Sequence, residues 1–130
     1  MPESNGGYVF SFTCDTGIGT QLTVNGKFEG DATSSDMIIE IQKLRKVAQY
    51  FLDHENMENI KAELKRLELE RTGLERTLTE KKEVVGRQEE DGVGLHPLIT
   101  QLENALHNNR VKREDAQDKL TFLMERYAAP

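Results

Sequence analysis

The chain has one cysteine, no tryptophan, three prolines and 6% aromatic residues among its 130 positions. A single thiol, Cys14, excludes an intramolecular disulfide and a cysteine-ligated metal cluster within one chain. No stretch approaches the ~18 consecutive apolar residues of a membrane-spanning helix, and "MPESNGGYVF" lacks the basic start and apolar run of a secretory signal. A soluble, cytoplasmic protein with no membrane partner is expected. Apolar residues make up 36% of the chain, below the roughly 45–50% of ordinary globular proteins. The core must be thin or elongated.

Net positive charge is also missing. There are 23 acidic against 17 basic side chains, a net charge of -6, so general attraction to nucleic-acid backbones is not expected. Charge itself is plentiful at 31%, and the two signs are interleaved along most of the chain, the pattern of solvated helices.

The character of the sequence changes near residue 34. Before it, Tyr8, Phe10, Phe12 and Cys14 share one face of an alternating "YVFSFTC" run, and "TQLTVNGKFEG" carries a second. Asn25-Gly26 is a strong hairpin signal, because both residues reach positive φ at low steric cost. Its loop reads either as two residues, pairing Val24 with Lys27, or as three with a bulge, pairing Val24 with Phe28; the second is preferred because it keeps both apolar residues on one face. A meander of two or three antiparallel strands over residues 1–34 follows.

"ATSSDMIIEIQ" starts a packing helix within 35–55, with Ser34 or Ser35 as cap and Asp36 at the positive end of the dipole. Met37, Ile38, Ile41, Leu44, Val47, Ala48, Phe51 and Leu52 form a broad stripe to lie on the sheet. A unit of this size, about 50 residues, buries little surface and needs a partner. From Met57 a heptad seam runs through Ile60, Leu64, Leu67, Arg71, Leu74, Leu78, Lys81 and Val85. It is two positions out of phase with the first stripe, so "DHEN" at 53–56 is expected to break or bend the helix.

A glycine-containing loop at about 87–96 precedes a second seam: Leu95, Ile99, Leu102, Leu106, Asn109, Arg113, Ala116, Leu120, Leu123 and Tyr127. Pro97 suits its first turn. Folding the chain back at the loop sets Val85 against Ile99, Leu78 against Leu106, Leu64 against Leu120 and Met57 against Tyr127. Residues 56–130 are therefore read as a long antiparallel coiled-coil hairpin, and the whole chain as α+β, one structural domain with an extension.

The same register sets Arg71 opposite Arg113, with Asn109 and Leu74 in the next layer. Two readings apply. Glu68, Glu75 and Glu114 neutralise the arginines and the polar layer fixes the hairpin's register, or the arginines reach an anion or a carboxylate outside the hairpin. Arg71, Asn109 and Arg113 are the candidate binding residues.

Catalytic signals are sparse. Asp15-Thr16-Gly17 resembles the catalytic loop of aspartic proteases in letters, but one copy with about 30 strand-like residues lacks the largely β body that would pair two carboxylates. It reads as a turn in which Asp15 bonds its own backbone and Gly17 and Gly19 take positive φ. "GIG" lacks the spacing and the following Lys-Ser/Thr of a phosphate loop. His54 and Glu58 stand at i and i+4 with no third ligand nearby, His96 and His107 are too far apart to share an ion, and Cys14 reads as a small buried hydrophobe. Neither a cofactor nor a metal is expected. The functional expectation is a non-enzymatic interaction or scaffolding protein acting as a homo-oligomer, using in part Ile38, Ile39, Val47, Tyr50, Leu69, Val84, Val111 and Phe122 off the main seams. The alternative is an accessory inhibitor, of the kind phages use, that occupies a host protein or sequesters a small anionic, nucleotide-like ligand at an arginine-lined intersubunit pocket.

Overall fold

A computed structural model describes residues 8–30, 33–87 and 96–128. Strand β1 (Tyr8–Asp15) is followed by β2 (Gln21–Phe28), helix α1 (Ser34–Arg87) and helix α2 (His96–Glu125). The chain divides into two compact units, Met1–Glu58 and Asn59–Pro130.

In the first unit β1 and β2 pair antiparallel from Tyr8↔Phe28 to Asp15↔Gln21. The connection is "TGIGT", and its geometry follows from its residues. Asp15 Oδ1 accepts the Gly17 N–H at 2.7 Å, and Gly17 and Gly19 sit at φ 85° and 103°, where a Cβ would be strained. Thr16 is fully buried; its hydroxyl donates to the Thr20 carbonyl at 3.1 Å and accepts the N–H groups of Ile18 and Thr20. The loop thus satisfies its own backbone groups in a short span.

Asn25-Gly26 is not a turn: β2 runs straight through it, and among the described residues there is no third strand. Gly26 pairs with Phe10, whose ring occupies the space a Gly26 Cβ would need. That ring also lies 5.2 Å from Phe28 and 6.2 Å from Phe12 between centroids. Here the glycine answers cross-strand packing, and the gain from covering its bare backbone with an aromatic outweighs its turn propensity.

The alternation of β1 puts Phe12 and Cys14 into the core with Leu52 of α1, and Phe10, Val24, Ile41 and Ala48 pack around them. Polar contacts fix the strand ends on the helix. Gln49 Nε2 donates to the Asp15 carbonyl at 2.9 Å, Thr20 Oγ1 to Asn56 Oδ1 at 2.9 Å, and Asn56 Nδ2 to the Leu52 carbonyl at 2.8 Å.

Two helix expectations are corrected. The cap is Thr33 rather than Ser34 or Ser35: its hydroxyl accepts the Asp36 N–H at 3.1 Å and its carbonyl the Met37 N–H at 3.0 Å. Three hydroxyl residues in a row offer three starts, and the one whose oxygen meets the third helical N–H takes the role. The break at 53–56 is absent, since α1 is helical from Ser34 to Arg87. "DHEN" contains neither proline nor glycine, so nothing forces its backbone out of the helix. What changes there is the phase of the apolar stripe, and its polar residues are used as contacts: Asp53 is buried and accepts from Gln49 Nε2 at 3.0 Å.

The second unit is the antiparallel pair formed by the later part of α1 and α2. Its buried residues are Leu67, Asn109, Ala116, Leu120 and Leu123, all on the two seams read from the sequence. Pro97 does stand in the first turn of α2. The expected loop, with Leu95, lies outside the described residues apart from its flanking helix ends.

Candidate functional site

Asn109 is 1% exposed at the middle of α2, so each of its polar atoms needs a partner. Its amide donates to the Leu67 carbonyl at 2.9 Å and to Glu70 Oε1 at 2.9 Å, and its Oδ1 accepts from Arg113 Nε at 2.7 Å. Both amide protons and the oxygen are thereby used.

The antiparallel pairing read from the two seams is present, and the side chains of the polar layer reach along it. Lys82 meets Glu103 at 3.7 Å, within one residue of expectation, and the Asn109 amide finds its acceptors at Leu67 and Glu70, earlier in α1 than the Leu74 expected in the next layer. A buried amide is held where acceptors exist, whereas the leucines on either side are interchangeable.

Arg71 and Arg113 do come to one place, as the seams require, and line a common open groove of about 300 Å³. Their repulsion is relieved by carboxylates. Arg71 donates to Glu68 Oε1 through Nε at 2.9 Å and also through Nη2, and its Nη1 donates to Glu75 Oε1 at 2.8 Å. Arg113 Nη1 stands 3.9 Å from Glu68 Oε2. Glu68 is therefore shared by both guanidiniums. The hydrogen bond from Arg71 holds the Glu68 carboxyl below the usual carboxylate range, helped by the charges of Arg71 and Arg113, and the bonds to Glu68 and Glu75 raise Arg71 further.

The result is one chain of polar contacts, Glu70–Asn109–Arg113–Glu68–Arg71–Glu75, joining the two helices through a buried amide. Glu68 and Glu75 were legible from helical spacing; Glu70 was missed, and its signal is that a buried asparagine amide needs a second acceptor. The groove is completed by Glu103, Leu106, His107 and Arg110, so two carboxylates share its lining with three guanidiniums. Arg110 in turn faces Glu114 at 3.8 Å and His107 Nδ1 at 3.2 Å.

Elsewhere, Asp15 serves the hairpin: one oxygen accepts from Gly17, and the other from Gln21 Nε2 at 3.1 Å. Cys14 is buried with its thiol 3.8 Å from the Arg45 carbonyl. The His54 ring stacks on Tyr50 at 3.8 Å, with Nδ1 2.9 Å from the Tyr50 carbonyl. Among the described residues no three His, Cys, Asp or Glu side chains converge as metal ligands do, and no helix is long and apolar enough to cross a membrane.

Of the residues read as lying off the seams, Ile38, Ile39, Val47, Tyr50, Leu69, Val111 and Phe122 are exposed, and Val84 is half-buried. Leu44 and Phe51, expected under the sheet, are exposed too, because two strands cover only the Ile41, Ala48 and Leu52 side of the stripe. Comparisons with protein-family models, curated proteins and solved structures gave no match.

Proposed function

We propose that this chain is a non-enzymatic interaction protein that works as a homo-oligomer, a scaffold rather than a catalyst. One observation carries the reading: among the described residues, fourteen large apolar side chains are exposed and only eight apolar residues are buried. Single exposed apolar residues are ordinary on any surface. Here Leu44, Val47, Tyr50 and Phe51 cluster within two turns of one helix, over a core of three buried residues, and clusters of that kind mark association surfaces. The polar layer supports the same reading, since Arg71, Asn109 and Arg113 spend their hydrogen bonds on groups of their own chain.

Size-exclusion chromatography with light scattering tests it. The expected mass is a multiple of 14.8 kDa that holds across a dilution series down to the micromolar range or dissociates reversibly. A monomer at every concentration up to the millimolar range would overturn the proposal.

A further inference from the structure

Resting on the oligomer reading, we propose that the interface is the Leu44, Val47 and Phe51 face of α1, packed antiparallel on the same face of a second copy about a two-fold axis at Val47. These three residues are 43%, 53% and 65% exposed. With Met37, Glu40 and His54 they step by three and four along the helix, a heptad seam distinct from the Ile41, Ala48 and Leu52 side that the sheet covers. Seams of this spacing are buried by another helix.

The order of residues selects a second copy and its direction. In an antiparallel pair centred on Val47, Leu44 meets Phe51 of the partner copy and Val47 meets Val47, so every apolar residue finds an apolar one. Glu40 then falls opposite His54, and the Lys43 ammonium beside the Tyr50 ring, where a cation is favoured. A parallel pair would set Glu40 on Glu40 and Lys43 near Lys43. Separation of the like charges thus favours the antiparallel arrangement, whose two-fold axis runs across the helices.

The patch is small. Leu44, Val47, Tyr50 and Phe51 offer on the order of 400 Å² per copy, given ~150–250 Å² for each fully buried aromatic. Two copies plus the stems of Glu40, Lys43 and Glu55 reach only the lower limit of specific interfaces, about 1,000 Å². The dimer is accordingly weak and concentration-dependent.

Cysteine cross-linking under a mild oxidant tests the register, with the wild type as control because Cys14 is buried. Val47→Cys should give a covalent dimer. Leu44→Cys alone should not, because the two Leu44 residues would stand about 9 Å apart along the axis at ~1.5 Å per residue, too far for a disulfide. Leu44→Cys combined with Phe51→Cys should restore the cross-link. In parallel, Val47→Glu should shift the protein to monomer by light scattering with its helical circular dichroism retained. A Leu44→Cys dimer, or an oligomeric wild type whose Val47→Cys form does not cross-link, overturns this interface and leaves the oligomer reading standing. A wild type that stays monomeric at millimolar concentration removes both.

Discussion

The two units solve the same shortage of apolar residues in opposite ways. The Met1–Glu58 unit covers one side of its helix with two strands and leaves the neighbouring side bare; the Asn59–Pro130 unit closes its seam and places a fully bonded polar layer inside it. Where apolar material is scarce, a surface is left open or polar groups must satisfy one another. The first solution invites a partner, whereas the second selects an internal alignment.

Truncations test that contrast most strongly. Leu123→Ala, at a position with no exposure, should cost about 2–5 kcal/mol in the urea midpoint at constant slope. Leu69→Ala, at 72% exposure, should change it by under about 0.5 kcal/mol. Equal losses would mean that the seam of the second unit is not closed. Next in size is Thr16→Val, which keeps the shape but removes the acceptor of two loop N–H groups and should cost about 1–3 kcal/mol. Hydrogen exchange at Ile18 and Thr20 should quicken; unchanged exchange would show that the hydroxyl is dispensable.

Asn109 separates register from stability. Asn109→Leu should be neutral or up to about 2 kcal/mol stabilising, because an apolar residue in a seam relieves a desolvated amide, while a spin-label pair on the two helices should report a broadened distance distribution. A sharp, unshifted distance would deny the amide its aligning role.

The smallest effect concerns pH. Arg71 depresses the folded-state Glu68 carboxyl below its ordinary value of 4.5, so its contribution is present above that value and lost as pH falls below it through the folded-state value. Glu68→Gln should flatten the acid limb of thermal melts below about pH 4.5 and leave melts between pH 6 and 8 with the same slope. An unchanged acid limb would show that Glu68 makes no linkage to folding.

Much of the fold is legible in the sequence because period-two and three-four patterns survive in it. Phe10, Phe12 and Cys14 mark β1, and both helical seams name their buried leucines. The misreadings are places where a local signal has a distant answer. Asn25-Gly26 looks like a turn until a ring from the other strand covers the glycine; the even-numbered run Leu22, Val24, Gly26, Phe28 already hints at an unbroken strand. "DHEN" looks like a break because the stripe changes phase, although no residue there opposes helix. The site residues were found from their polarity inside a seam. Their partners were legible only in part: Glu68 and Glu75 follow from helical spacing, but Glu70 lies on the other helix and Leu67 contributes a backbone carbonyl that no side-chain pattern reveals.

The ring of Phe10 over Gly26 has a consequence for how this sequence can drift. One position is a hole and the other its plug, facing each other across the two strands. A side chain at 26 needs a smaller residue at 10, and a smaller residue at 10 leaves bare backbone at 26 exposed. In a set of descendants, these two columns should change together or not at all.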